Sequence, residues 1–260
     1  MSSFSIDAVW EDAIAFLRRE SALILPIALA TFGLGTVVLG LGVEPASATP
    51  VDMGLMAARL LWFIPALLLT LIGNMAISVV VLRPRASVGE SLRVALGRTP
   101  VAIAIMLLLM VAAMGVLVAA TFVVTLLGLV WPMNMPARLS FTIYAALIPT
   151  AWLTIRLLVM WPTVADSDTG PVDSLRKSFR LTRGHALKAL TVSLTFGAVY
   201  ILLVSIAQLA LTPVIRLLGL AIGQLDLLQL IGQLVIAFIG SVLMMGWTVY
   251  LAFLYRRLTA

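Results

Sequence analysis

The sequence predicts an all-α polytopic membrane protein with about six transmembrane helices and three cytoplasmic interfacial amphipathic helices. Of its 260 residues, 62% are hydrophobic and only 11% are charged, whereas a soluble domain carries about 25% charged residues because its surface faces water. The mean hydropathy is +1.16. The apolar residues also fall into six blocks, each of about 20 residues or more, the length that crosses a bilayer as a helix. These observations predict that residues 1–260 form one membrane domain.

The six apolar blocks define the predicted spans. They fall at 21–42, 57–82, 100–131, 139–161, 186–212 and 227–255. Inside lipid every backbone N–H and C=O must be hydrogen-bonded within the protein, so each block is expected to be helical. The first block is longer than the apolar region of a signal peptide, so we interpret it as a retained span. The third block exceeds one bilayer crossing and is expected to tilt, break or extend beyond the membrane.

The distribution of positive charge predicts the orientation of the bundle. The connections at 43–56, 132–138 and 213–226 are nearly uncharged, whereas those at 1–20, 83–99 and 162–185 and the tail after Tyr255 are basic. All but three of the 17 Lys and Arg residues lie on or beside the basic set, the exceptions being Arg59, Arg138 and Arg216. Cytoplasmic loops carry the excess of Lys and Arg. Both termini are therefore predicted to be cytoplasmic, with the chain in an inner (plasma) membrane.

Three segments of the basic connections carry apolar residues at helical spacing. They are residues 5–19, 87–97 and 171–183, and each is predicted to be a helix lying in the cytoplasmic interface. The second and third also align, because Glu90-Ser91-Leu92-Arg93 matches Asp173-Ser174-Leu175-Arg176. We therefore expect three repeats of an amphipathic helix followed by a transmembrane hairpin, at 1–82, 83–161 and 162–256. The alternative is that unrelated amphipathic helices share such short patterns by chance.

Five basic residues around the third amphipathic segment are the candidate contacts for anionic lipids. They are Arg156, Arg176, Lys177, Arg180 and Arg183. Arginine forks match the geometry of phosphate, and basic clusters beside a membrane attract anionic headgroups. For Arg156, the alternatives are snorkelling of its side chain to the headgroups or an ion pair with Asp166 or Asp173. For the other four, topology and solvation are the alternative explanation.

No pattern in the sequence is typical of an enzyme or a cofactor site. There is no cysteine and one histidine, His185, which excludes disulfides and most zinc sites. The acidic residues lie in connections or at helix ends, and no two of them form a convincing pair for acid–base chemistry. No Gly-rich phosphate loop is present. We therefore predict no catalytic residue, cofactor or metal ligand, and we expect membrane lipids rather than nucleic acid as partners.

The stretch from Arg156 to about Leu190 resembles a known bacterial family. It contains Trp161-Pro162, an acidic link, Gly170-Pro171, Ser174-Leu175-Arg176-Lys177-Ser178 and Leu181-Thr182-Arg183-Gly184. These motifs in this order resemble the glycerophosphoryl diester phosphodiesterase membrane-domain family and related six-helix inner-membrane proteins. In fused members the phosphodiesterase is a separate soluble barrel, for which this chain lacks the required stretch of about 250 residues. The resemblance implies a fold and a topology and leaves the function open.

Three classes of function follow from these observations. The first is a non-enzymatic inner-membrane module that scaffolds or regulates envelope or lipid-related proteins, with lipids and an unidentified membrane protein as partners. The alternative is a transporter or channel for a lipid or small apolar solute, although no Asp, Glu or Lys lies deep in a span as ion-coupled pumps normally require. The third is an intramembrane enzyme, which needs a clustered acid, base or metal site. A filled core would favour the first class, and a cavity lined by Arg156 and the span glutamines the second.

Overall fold

The computed structural model describes residues 6–41, 53–131, 134–184 and 186–259. Within these ranges the fold is all-α, as predicted, and contains no strand. The helices are α1 Ile6–Ala28, a π-helical turn Leu29–Gly33, α2 Leu34–Leu41, α3 Met53–Leu82, α4 Val88–Val130, α5 Met135–Arg156, α6 Met160–Asp166, α7 Pro171–Leu181, α8 Ala186–Ile222 and α9 Leu225–Thr259. Most of the predicted connection at 43–56 lies outside the described residues, and so does His185.

Within the described ranges, six helical stretches are long and apolar enough to cross a membrane, which confirms the predicted membrane class and the expectation of about six spans. They are Asp7–Gly40, Leu61–Leu82, Val88–Val130, Met135–Asp166, Lys188–Ile222 and Leu225–Thr259. The fourth stretch is bent where α5 ends and α6 begins. Pro162 explains the bend, because proline has no N–H to donate to the carbonyl of Leu158 and its ring clashes with that carbonyl.

The helix α4 is unbroken over 43 residues. At 1.5 Å per residue it is about 65 Å long, roughly twice the thickness of a hydrocarbon core. The helix starts with Ser87 as its N-cap, whose hydroxyl accepts a hydrogen bond from the Glu90 N–H at 3.2 Å. The third apolar block is therefore one continuous helix that extends beyond a single bilayer crossing.

Two of the three predicted amphipathic helices are not separate helices in the structure. Segment 87–97 forms the first turns of α4, and segment 5–19 continues without a break into the first span. Neither is followed by a residue that ends a helix. Segment 171–183 does form a separate helix, α7. The chain leaves the helical conformation at Gly184, whose φ is 89°, and glycine adopts such a value without strain. Whether any of the three lies in a membrane interface stays a prediction.

The predicted connection at 213–226 is also mostly helical. The helix α8 continues through Pro213, and the chain reverses direction only at Gly223, whose φ is 73°. The sequence prediction placed the end of the span at the proline, but a proline inside a long helix kinks it without ending it. The connection between α8 and α9 is consequently very short.

The predicted repeats each contain one pair of consecutive helices that pack together. These pairs are α2 with α3, α4 with α5, and α8 with α9. Among the described residues, only the third repeat has a separate amphipathic helix before its pair. The structural equivalence of 1–82, 83–161 and 162–256 stays a prediction.

The buried core lies towards one end of the bundle. It is formed by α1, the last turns of α3, the first part of α4, the short α6 and the last turns of α9, and it includes Met75, Ile105, Tyr250 and Tyr255. This end also carries most of the arginines, so we call it the basic end. It comprises residues 6–20, 82–99, 156–184 and 250–259.

The opposite end, which we call the far end, exposes large apolar side chains. Leu129 on α4, Met135 on α5 and Leu209 on α8 are each more than 70% exposed. Exposed apolar side chains on helices whose backbone is fully hydrogen-bonded suit contact with lipid tails. Burial is therefore concentrated at the basic end, while many apolar side chains towards the far end are exposed.

Candidate functional site

The short helix α7 at the basic end has two different faces. Pro171 stands in its first turn, where a missing N–H has no consequence, and Asp173 in the same turn favours the positive end of the helix dipole. One face carries three hydroxyl residues that are at most 1% exposed, Ser174, Ser178 and Thr182. The other face exposes the predicted lipid contacts Arg176, Arg180 and Arg183.

The hydroxyl face is anchored to the end of α5. The backbone carbonyl of Arg156 accepts hydrogen bonds from Ser178 Oγ at 3.1 Å and from Thr182 Oγ1 at 3.0 Å. This carbonyl lies at the bend between α5 and α6, where the N–H of Met160 donates to the Leu157 carbonyl at 2.9 Å rather than to Arg156. Carbonyls at a helix end need partners from elsewhere. The two hydroxyls supply those partners.

A second anchor connects α7 with α6 and α9 through Tyr255. Lys177 Nζ donates to the Tyr255 hydroxyl at 2.8 Å, and that hydroxyl donates to Asp166 Oδ2 at 2.8 Å. The tyrosine is only 2% exposed, so the hydroxyl joins two charged groups at the edge of the core. Nearby, Arg98 of α4 forms an ion pair with Asp168 in the link between α6 and α7. Lys177, predicted as a lipid contact, is therefore directed towards the bundle.

The side chain of Arg156 lies against aromatic rings. Its guanidinium carbon is 5.4 Å from the centroid of the Trp152 ring, within the range of a cation–π contact, and Trp152 packs edge-on against Phe179 with centroids 5.6 Å apart. Within the described chain, Arg156 Nε is buried without a hydrogen-bond partner, and Arg156 forms no ion pair with Asp166 or Asp173. The alternative of an ion pair with Asp166 or Asp173 is therefore excluded by the structure, in which Asp166 accepts a hydrogen bond from Tyr255.

Sequence reasoning found the arginine face but missed what holds it in place. Tyr255 appeared only as the end of an apolar block, and the pairing of Ser178 and Thr182 with a carbonyl 22 and 26 residues away has no local signal. The spacing of Ser174, Ser178 and Thr182 at intervals of four residues was a usable signal, because such residues share one helix face.

Among the clefts on the described surface, three lie at the basic end or beside α8 and α9, and Arg156 lines none of these three. One of about 570 Å³ lies at the basic end between α1, the turn before α4 and the end of α9. One of about 800 Å³ lies between α1, α8 and α9 and is lined mainly by apolar side chains. The third, about 230 Å³, lies between α8 and α9 beside Gln229 and Gln233. No group of three metal-binding side chains occurs among the described residues.

Comparisons with known proteins give no further assignment. Neither a family model, nor a curated protein, nor a solved structure matches this chain. The resemblance to the phosphodiesterase membrane-domain family therefore stays a prediction, and the function has to be argued from the residues.

Proposed function

We propose that this protein is a non-enzymatic integral module of a bacterial inner membrane that scaffolds or regulates lipid-related proteins, with α7 as its contact surface for anionic lipids. The observation that carries the proposal is the two-faced anchoring of α7. Hydroxyls and Lys177 hold one face on the bundle, while Arg176, Arg180 and Arg183 point away from it.

Anchoring matters because a fixed helix presents its charges at a fixed spacing. Arg176 and Arg180 are four residues apart and so lie about one helical turn apart on the same face. Each cation near an anionic membrane surface contributes about 1 kcal/mol of attraction. Three of them together contribute about 3 kcal/mol, or roughly a hundred-fold in affinity.

Arg156 lies beside α7 but is held differently from the three exposed arginines. Its Nε is buried without a hydrogen-bond partner within the described chain, so a lipid headgroup does not reach that atom, and its guanidinium lies against the Trp152 ring. The proposal therefore rests on Arg176, Arg180 and Arg183.

The test is native mass spectrometry of the full chain in phosphatidylcholine nanodiscs doped with phosphatidylglycerol. The variant is the triple change Arg176→Gln, Arg180→Gln and Arg183→Gln, and the matched control is Arg216→Gln, which removes one of the arginines predicted to lie on the opposite side. We expect the triple variant to lose most retained phosphatidylglycerol and the control to keep it. Equal retention by all three proteins would reject α7 as the lipid contact.

A transporter or channel for a lipid or small apolar solute is the second candidate. The cleft between α1, α8 and α9 favours it, because Trp10, Phe196 and Tyr250 line a groove of about 800 Å³ with Lys188 also on its lining, dimensions suited to an acyl chain. Proteoliposomes with fluorescent lipid in one leaflet test this candidate. Lipid exchange between leaflets above that of empty vesicles would place transport first, and no excess exchange would leave the scaffold.

A further inference from the structure

The cleft of about 570 Å³ at the basic end combines an apolar floor with a charged rim. Phe16 of α1, Val80 of α3 and Phe253 of α9 line the floor, and the rings of Phe16 and Phe253 meet edge-on with centroids 5.6 Å apart. Arg19, Arg85 and Arg256 contribute cations to the lining. A site of this kind accepts a molecule with a charged head and an apolar part.

The charges around the cleft do not balance within the described chain. Two carboxylates also line it, and each already has a cation: Glu20 pairs with Arg19 at 2.9 Å, and Asp12 pairs with Arg257 at 2.6 Å. Arg85 and Arg256 have no carboxylate partner among the residues that the structure describes. Two positive charges on the lining are therefore left for an anion.

Arg85 occupies an unusual backbone conformation. Its φ is 87°, and it is the one non-glycine residue with positive φ in the described ranges. Side chains other than glycine, asparagine and aspartate rarely adopt this conformation, and the strain costs on the order of 1 kcal/mol. A glycine would remove this strain. The turn instead places a guanidinium beside the cleft.

We infer that this cleft binds a phosphate group, and the apolar floor points to the phosphate of a lipid headgroup. A phosphomonoester carries about −1.5 to −2 charge at neutral pH, which matches the two unpaired guanidinium groups. Arginine is suited to phosphate because its planar fork makes two parallel hydrogen bonds. The inference does not depend on α7, since the cleft and the arginine face share no residue.

The experiment titrates the purified full chain with a short-chain phosphatidic acid and, in a separate arm, with inorganic phosphate. Binding is followed by native mass spectrometry and by the thermal unfolding temperature. The variants are Arg85→Gly, Arg256→Gln and their combination. Arg83→Gln is the matched control, because Arg83 is an exposed cation two residues away that does not line the cleft.

We expect wild type to bind one phosphatidic acid saturably and each single variant to bind it about ten-fold more weakly, the effect of one lost charge-assisted hydrogen bond. The control should bind like wild type. Because glycine suits the backbone at position 85, Arg85→Gly should keep or raise the unfolding temperature of the lipid-free protein while losing the shift caused by lipid. That combination separates loss of binding from loss of folding.

Two results would overturn the inference. One is unchanged affinity in the double variant, and the other is a loss of binding in the α7 triple variant but not in the cleft variants, which would assign the lipid to α7. If inorganic phosphate produces the same shift as phosphatidic acid and competes with it, the phosphate site stands, and its source is a free phosphate.

Discussion

Replacing Tyr255 with phenylalanine removes one hydroxyl and leaves the buried ring in place. That hydroxyl accepts from Lys177 and donates to Asp166, both at 2.8 Å. The substitution creates almost no cavity, because the two side chains differ by a single oxygen atom. Its effect on stability therefore reports the two hydrogen bonds that hold α7 and α6 against α9.

The magnitude follows from the charge and the exposure of the partners. A hydrogen bond to a charged group contributes about 1.5–3 kcal/mol net. Asp166 is exposed and Lys177 is partly exposed, so in the variant water forms hydrogen bonds with both charged groups. The combined loss of the two hydrogen bonds to Tyr255 is therefore expected near the lower end of that range. We expect Tyr255→Phe to lower the free energy of unfolding by about 2 kcal/mol.

The assay is denaturant unfolding of the detergent-solubilised protein, followed by the fluorescence of its six tryptophans. Lys177→Met and its combination with Tyr255→Phe complete a double-mutant cycle, which isolates the interaction between the two side chains. Trypsin digestion provides a second readout, because release of α7 from the bundle lets its backbone unfold locally and enter the protease. A loss below about 0.5 kcal/mol, the size of an ordinary surface effect, together with unchanged digestion, would refute the anchoring role of Tyr255.

Two further predictions concern the packing of the core. In Gly73→Ala the new Cβ would lie 2.8 Å from Thr31 Cβ, so overpacking should lower the free energy of unfolding by about 1–3 kcal/mol. The control Gly115→Ala has open space at its Cβ and should be neutral or stabilising by up to about 1 kcal/mol. Denaturant unfolding of both variants tests this prediction, and equal effects would contradict it. Thr248→Val removes a buried bond of 3.0 Å from Thr248 Oγ1 to Asn74 Oδ1 and should cost about 1–3 kcal/mol, measured in the same way; no loss would contradict the prediction.

The class and number of spans were predictable because they depend on composition and block length alone. The ends of the helices were less predictable, because proline, a usual signal for a helix end, does not end a helix at every position in this chain. Pro213 and Pro100 lie inside continuous helices, whereas Pro162 follows the interruption between α5 and α6. The three sites also differ in burial, because α6 is almost entirely buried while Pro100 and Pro213 are exposed.

The sequence allowed the candidate lipid contacts to be predicted as a basic cluster, but it did not show how the helix that carries them is held on the bundle. Sequence spacing places Arg176, Arg180 and Arg183 near one another on a helix, which is a local property. The anchors of that helix, Arg156 and Tyr255, join residues far apart in sequence, and no local pattern encodes such contacts. The cleft near Arg85 was missed for the same reason, since three separate segments contribute its lining.

The uneven packing of the bundle bears on the choice between the two proposed functions. A transport path has to connect both sides of the membrane, and the basic end of the bundle is filled by a core that includes Met75, Ile105 and Tyr250. Recognition needs only one rigid surface, and rigidity comes from burial and satisfied hydrogen bonds. Those features concentrate at the basic end, beside the unpaired arginines. The position of the core therefore supports a module that binds lipid at one face over one that moves it across.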